Sequence, residues 1–496
     1  MSLASLQKVF AVEIAQASWA ADNELRGEKV AKFRRYQDGD HDAQMTAEMK
    51  NALRIQRSST NAPFNSNQMD DVLTTMSDRL TVDRIEGDSD AATKWAQDVL
   101  DWNRFDGLQM DTHEATLRDA DSYALIEFDA DEQMPVICHE LAWDGTSGMM
   151  VIHESTDKNT IAAAVKVWCE SKTAYADTVR ANIYYPDRIE RYISSAGDDR
   201  FVQYEDDEYP TWPIPLMLNG QPLGVPVVQF RNRQRGKGGY GLSELENAIP
   251  LQDALNRTLH SMVMTAELSA FPVIFAKGFK MDPAITPGMV VNVGEGGLST
   301  EQVADLTRIP GESVIPYIEM ANFFIGRIEA VTRTPNMSTN TNLSGEAMKQ
   351  SEVKLLGKVK RFQITAGNAW EDVMSLCARV QAAYGTKNPP DSKRWKTIWK
   401  DSQIRNDRDV VDNAMKVQGV MGELQTLRNL ADVFELDEET IQKIMAEKKA
   451  GQADRLQSLV SNFNPFTTGG VIPRQPTPVQ NGQSQAMISN GVTSNV

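Results

Sequence analysis

Residues Val228–His260 read VQFRNRQRGKGGYGLSELENAIPLQDALNRTLH, and the fold turns on how this run is understood. A short apolar strand, Val227–Phe230, ends in four cations, Arg231, Arg233, Arg235 and Lys237. A glycine-rich turn follows, then a long helical pattern. Gly236, Gly238 and Gly241 satisfy the G-x-G-x-x-G spacing of nucleotide-binding loops. The surroundings argue against that chemistry. A dinucleotide fold needs the turn inside a parallel βαβ unit, with an acid about 20 residues onward at a second strand's end. Here the helix leads to a β cluster broken by Pro and Gly, and no such acid follows a strand. A phosphate-cradling Walker loop needs Gly-Lys followed by Ser or Thr, but Gly238 follows Lys237. Kinase catalytic-loop signatures are missing as well. The remaining expectation is a tight strand-to-helix turn whose cations are solvated or paired with Glu244 and Glu246.

Downstream of this turn the chain reads as helix from Ser243, with Pro250 in the first turn of a new segment. Leu251, Leu255, Leu259, Met262, Val263 and Ala266 form an apolar stripe ending near Ala270. Asp253, Asn256, Arg257, His260 and Glu267 are expected on the surface, His260 as an interfacial residue. A compact β-rich insert follows, with strands expected at Phe271–Ala276, Met289–Val293 and Val303–Arg308. A second rod runs from Ser313 to Arg333, Pro316 falling in its first turn. Its stripe includes Val314, Ile315, Ile318, Ala321, Phe324, Ile325, Ile328 and Val331. Two rods of about 30 Å flanking a small β insert make a stalk with a head.

Thr334–Leu343 (TPNMSTNTNL) carries no charge. Ser344 then offers an N-cap, with Glu346 in the first turn. The helix Gly345–Tyr384 is unusually long, and Gly357 and Gly367 are candidate kink points. A strand, Arg394–Trp399, leads to an acidic helical region, Asp407–Val460. The tail from Ser461 has Arg474 as its one charged side chain and reads as disordered.

Upstream, residues 1–60 read as helical, with Leu6, Val9, Phe10, Ile14 and Ala17 at helical spacing. DGDHD, Asp38–Asp42, reads as a solvated turn. Residues 68–120 read as helical: Met69, Val72, Leu73, Met76 and Leu80 share a face, and Ala91–Leu108 continues the pattern. Residues 122–230 switch to short strands: Tyr123–Phe128, Met149–His153, Ala163–Cys169, Asn182–Ile193 and Phe201–Tyr204. Glu205–Glu208 reads as a solvated acidic loop.

Bulk properties narrow the function classes. The chain has 496 residues, 41% apolar and 24% charged, enough for two to four structural units. No apolar stretch approaches the ~20 residues that span a bilayer. The N-terminus lacks the pattern of a cleaved signal peptide, so the expected compartment is a cytoplasm. Three scattered cysteines, Cys138, Cys169 and Cys377, exclude a disulfide framework. Cys138-His139-Glu140 makes a poor metal site, because neighbours in a strand point to opposite faces. Five histidines lie in dissimilar contexts, and G-x-S-x-G and H-E-x-x-H are absent. The net charge of −17 disfavours tight static binding of nucleic acid, yet suits a protein past which DNA slides.

With rods, insert and loop in place, the chain resembles the portal proteins of long-tailed double-stranded DNA bacteriophages over roughly residues 5–460. The residues carrying the resemblance are RRYQDGDH (Arg34–His41), DRLTVD (Asp78–Asp83), YYPDRIERY (Tyr184–Tyr192), VPVVQFRNR (Val225–Arg233), GLSELENAIPLQDALNRTL (Gly241–Leu259) and SGEAMKQSEVKLLGKVKRFQ (Ser344–Gln363). Their order along the chain is more specific than any one of them.

The resemblance implies an α+β, mainly α portal-protein fold, in a dodecameric ring at one capsid vertex. Residues 1–240 and 344–400 would be the wing, and 241–270 and 312–333 the stem. Residues 271–311 would be a small α/β clip, 334–343 the tunnel loop, 401–460 a helical crown and 461–496 a disordered tail. It also implies DNA-channel residues Asn336, Met337, Ser338, Thr339, Asn340, Thr341 and Asn342, an uncharged set able to touch a phosphate backbone without strong ion pairing. Clip contacts to motor and adaptor would fall at Lys277, Lys280, Asp282, Glu295 and Glu301. Arg231, Arg233, Arg235 and Lys237 would face a neighbouring subunit or the channel. Implied partners are further copies of the chain, duplex DNA without sequence preference, the terminase large subunit, the head–tail adaptor, and major capsid and scaffold proteins. No cofactor, metal, membrane or catalytic residue is implied, and the protein would assemble in the host cytoplasm and reside in the virion. Alternatives are a head–tail connector or baseplate ring without translocation, and a nucleotide-dependent enzyme using Gly236–Gly241.

Overall fold

The computed structural model describes residues 26–42, 65–154, 160–173, 176–195, 201–205, 212–233, 240–270, 274–277, 290–293, 305–308, 312–335, 345–402, 416, 427 and 440–449. The chain divides into two compact units, Met1–Gln403 and Ile404–Val496. In the second, the described stretch 440–449 is helical, with Ile441 buried.

The first unit begins with α1 (Arg26–Gln37), α2 (Met69–Ser77), strand β1 (Val82–Gly87), α3 (Asp90–Trp102) and α4 (Phe105–Asp119). The β-rich part follows: β2 (Asp121–Asp129), β3 (Met134–Leu141), β4 (Gly148–His153), β5 (Ile161–Thr173), β6 (Ala176–Tyr184), β7 (Arg188–Ser195), four short strands β8 to β11 between Val202 and Pro222, and β12 (Val227–Arg231). Then come α5 (Ile249–Ala270), β13 (Ile274–Lys277), β14 (Val290–Val293), β15 (Asp305–Arg308), α6 (Ile315–Thr332), α7 (Gly345–Tyr384) and β16 (Trp395–Trp399).

The main core forms around α7. Leu355, Val359, Phe362, Ala366, Trp370, Val373, Cys377 and Val380 recur every three or four residues and are all buried. That stripe packs on the antiparallel sheet β12-β2-β3 and on the β1/β16 pair. Trp370 meets Phe105 and Phe230 edge-on, with ring centroids 4.8 and 4.6 Å away. Its Nε1 donates to His113 Nε2 at 3.0 Å. A second sheet, β4-β5-β6-β7-β8, runs antiparallel beside a smaller core.

The helical face Met69, Val72, Leu73 and Met76 is buried, as its spacing predicts, while Leu80 is buried just past the end of the helix at Ser77. The rest of 68–120 is corrected. Val82–Gly87 is a strand paired with β16, a partner about 300 residues away that no local pattern reveals. The expected helix Ala91–Leu108 breaks at Asn103 and Arg104, where Arg104 adopts the left-handed conformation (φ 49°). Asn182–Ile193 is not one strand but the hairpin β6–β7. Pro186 has no N–H for a ladder, and Tyr185 N–H turns back onto the Arg188 carbonyl at 2.8 Å. α7 runs unbroken through Gly357 and Gly367. Gly367 instead admits β16: Thr397 Oγ1 donates to its carbonyl at 3.0 Å, and a Cβ would sit 3.2 Å from Trp399 Nε1.

Two expectations about polar residues are also overturned. His41 of DGDHD is not solvated but buried, and Asn256 and His260 of the first rod are buried rather than surface residues. Their bonds explain how. Ser66 N–H donates to Asn256 Oδ1 (3.0 Å), Asn256 Nδ2 donates to His41 Nδ1 (2.7 Å), and His41 Nε2 donates to the Tyr36 carbonyl (3.0 Å). His260 Nε2 bonds Asn65 Oδ1 at 3.0 Å, and Tyr36 OH donates to Asp253. The polar side of α5 is thus a buried face whose partners lie near the start of the chain.

His113 provides a pH test. Burial pushes its pKa down to about 4, while Nδ1 donates to the Leu80 carbonyl at 2.9 Å. Its folded pKa lies below the unfolded value near 6.5, so its contribution is complete above that value and is lost as pH falls toward 4. By pH 5 the loss is about 2 kcal/mol. Denaturant unfolding at pH 7 and pH 5 should show His113→Gln losing less stability on acidification than the wild type; equal losses would refute the assignment.

Candidate functional site

The turn that opens the sequence argument is built from both ends onto the α4–β2 junction. α4 ends at Ala120, itself left-handed (φ 76°), and the Ala120 carbonyl accepts Asn232 N–H at 2.9 Å. Past the turn, Leu242 N–H returns to the Asn232 carbonyl at 2.6 Å, and Glu244 N–H bonds the Leu117 carbonyl at 2.9 Å. Gly241 packs so close that a Cβ would fall under 3.0 Å from backbone atoms of Ala120 and Asn232. Its N–H bonds the buried carboxylate of Asp121 at 3.1 Å, which also accepts from Gln229 and pairs with Arg26 at 2.6 Å. The last glycine of the nucleotide-like motif is therefore there to let two backbones approach. Two further features contradict a dinucleotide site. β12 runs antiparallel to β2, and α5 starts only at Ile249. A phosphate at the turn would meet no helix N-terminus.

Glu244 is the electrostatic centre of this junction. Its buried carboxylate takes the Arg233 guanidinium and the Lys358 ammonium, each at 2.6 Å, and Asn232 Nδ2 at 2.9 Å. Lys358 also donates to the Thr332 carbonyl at the end of α6, 2.8 Å away. One side chain thereby joins the strand leaving the sheet, the approach to α5, the end of α6 and the long helix α7. Burial pushes the Lys358 ammonium below its ordinary range, and Glu244 offsets part of that shift. Pairing of the basic turn with Glu244 is thus correct for Arg233. Glu246 forms no ion pair among the described residues.

Sequence reasoning did not pick out Lys358, Arg333 or Arg361, which surround the same spot. A signal was present for Lys358: it falls inside the stripe Leu355, Val359, Phe362, where a cation needs a buried partner. With Asn232, Arg233, Gly357, Phe362 and Thr365 these residues line a cavity of about 180 Å³.

Of the other expected residues, Arg231 ends β12 and Lys277 ends β13. Arg235, Lys237, Lys280, Asp282, Glu295, Glu301 and Asn336–Asn342 lie outside the described residues. The β insert is a mixed sheet in the order β14-β13-β15, with β13 parallel to β14 and antiparallel to β15. α5 and α6 flank it and pack together, and α6 places Pro316 in its first turn as expected. Within the α6 stripe, Ala321 and Ile328 are buried. Ile315, Ile318 and Val331 are exposed, as are Met320 and Phe323 beside them. Cys138 shares a face of β3 with Glu140, which pairs with Lys166, while His139 points to the other face. Among the described residues no group of three or more metal-ligating side chains forms, and no helix is long and apolar enough to cross a membrane.

Removing Glu244 would leave Lys358 buried beside Arg233 without its counter-charge. Glu244→Ala should destabilise the first unit by about 3–5 kcal/mol in denaturant melts. Glu246→Ala should change stability by under about 0.5 kcal/mol; similar losses in both would remove Glu244 from its central place.

The chain is similar to the portal protein of Mycobacterium phage L5, 27% identical over 268 residues, covering 51% of this chain and 54% of that protein. The portal protein of Mycobacterium phage D29 is 30% identical over 209 residues, covering 39% of this chain and 42% of that one. The chain thus spans about half the length of the curated relatives it matches. A solved chain from the virion of a native gene transfer agent particle overlays with a TM-score of 0.41 and 11% identity, over 81% of this chain and 99% of that one. The family model described as phage portal protein, SPP1 Gp6-like, matches residues 19–454. The chain belongs to this phage portal protein family.

Proposed function

We propose that the protein is the subunit of a ring-shaped channel at one vertex of a phage capsid, through which double-stranded DNA is packaged and later ejected. The observation that carries this reading is the family match over 19–454, spanning both rods and the β insert between them. The family is structural, and the chain acts as an assembly protein with no reaction of its own.

Physical features support a ring. α6 leaves Ile315, Met320 and Phe323 exposed, Ile315 and Phe323 to about 60%, although its other side packs on α5. Apolar surface of that kind on a rod is covered when identical copies stand side by side around an axis. The net charge of −17 per chain, multiplied around such a ring, disfavours static gripping of phosphates and lets a duplex move.

In this reading 1–240 and 344–400 are the wing, and 241–270 and 312–333 the stem. Residues 271–311 are the clip that meets the terminase motor and then the tail adaptor. Residues 334–343 are the tunnel loop, 401–460 the crown, and the ring is a dodecamer in contact with capsid and scaffold proteins. The clip contacts are Lys277, Lys280, Asp282, Glu295 and Glu301, and the loop residues Asn336–Asn342 touch DNA.

Electron microscopy of the purified protein should show rings of about twelvefold symmetry with an open hole wide enough for duplex DNA. Monomers, or rings with a closed centre, would overturn the channel. Deleting Thr339–Asn342 should leave ring assembly intact while lowering packaged or retained DNA; normal packaging by the deletant would make the loop a plain linker.

A further inference from the structure

We infer that the cavity between Arg233, Arg333, Lys358 and Arg361 is a binding site for a phosphate-type oxyanion. The inference concerns only the wing–stem junction and does not require that DNA pass through a ring.

Charge is the first argument. Four cations line this cavity, and among the described residues the one carboxylate paired with them is Glu244, behind the lining, which leaves three positive charges without a counter-charge there in a chain of net −17. Arg333 and Arg361 stand exposed at its rim and make no ion pair among the described residues. A phosphate group, singly charged as a diester and up to doubly charged as the free ion, offers several acceptor oxygens to guanidinium forks.

Unused donors give the second. Arg233 spends Nη2 on Glu244, while its Nε is buried with no partner among the described residues. A buried N–H without an acceptor is costly, and an oxyanion in the cavity would supply one.

Backbone conformation is the third. Arg233 (φ 47°) and Arg333 (φ 63°) both sit in the left-handed region, Arg333 as the residue closing α6. A non-glycine residue there costs about 1 kcal/mol, and glycine or asparagine would relieve it. Two arginines at two such positions, both lining one cavity, is what retention of their side chains for a ligand would produce.

Size sets the limit. A volume of about 180 Å³ falls below the ~300 Å³ of pockets that enclose a whole small molecule, so the site takes a phosphate group and leaves the remainder of its carrier outside. Such an oxyanion can arrive free, as inorganic phosphate, or as a phosphodiester of duplex DNA.

The test uses the full-length protein and two variants. Arg361→Ala removes an exposed rim charge. Gly357→Leu places a helix-favouring side chain at a lining position where a Cβ meets nothing within 4 Å, blocking the cavity without altering charge. Isothermal titration with inorganic phosphate, at ionic strength held constant with chloride, should show saturable binding by the wild type. Each variant should weaken it about tenfold or more while melting within about 2 °C of wild type without phosphate. Absence of saturable binding, or equal affinity in all three proteins, would overturn the site. A parallel titration with a short duplex separates the sources. Loss of duplex affinity in both variants assigns the site to phosphodiesters. Unchanged duplex affinity with phosphate binding lost assigns it to the free ion. If the wild type binds phosphate yet electron microscopy shows no open ring, the site stands and the channel does not.

Discussion

A carboxylate buried among cations holds this molecule's parts in register. Glu244 sits at 2–4% exposure because Arg233 and Lys358 meet it, and the buried Lys358 ammonium in turn needs Glu244, whereas Arg233 keeps part of its side chain in solvent. The three charged or amide partners of Glu244 come from the end of a sheet and from the middle of a 40-residue helix. Any relative movement of sheet, rods and long helix must first separate these charges in a poorly solvated place. Asp121 does the same on the other side of the turn, tying α1 through Arg26 and the turn through Gly241. The two carboxylates make a corner in the chain into a fixed joint.

Much of the architecture was legible because periodicity carries it. The bounds of α7 match the apolar pattern, Pro316 fell in the first turn of α6, and four of the five residues named for the α2 face form it. Local breaks at Arg104 and Pro186 account for two of the misses, and partners far away in sequence account for the others. Val82–Gly87 looks like a continuation of helix until Trp395–Trp399 pairs with it. Asn256 and His260 look solvent-facing because they are polar, yet polar groups are buried wherever other polar groups meet them, and here those are His41 and Asn65. The candidate site was half legible. Pairing of the turn's cations with Glu244 was one of the readings left open and holds for Arg233, whereas Lys358, Arg333 and Arg361 join them only through the fold. The glycine motif misled because spacing alone does not record whether a glycine serves a ligand or a neighbouring backbone.

Charge is distributed on two scales. The whole chain is acidic, which favours weak, transient contact with a polyanion. Locally, the junction of rods, sheet and long helix concentrates positive charge around a single buried carboxylate. A chain of net negative charge can thus still gather four cations at one junction.

The pairing of β1 with β16 also has a consequence during synthesis. Val82 leaves the ribosome about 300 residues before its partner Trp399. At about 5–20 residues per second, that interval is on the order of 15–60 s. Throughout it, β1 lacks its partner strand, and Phe105 of α4 and the β12-β2-β3 sheet lack the long helix that packs on them. The nascent chain therefore passes through a prolonged stage with adhesive surface on display. Completion of the first unit is a late, cooperative event, set by the arrival of its C-terminal helix and strand.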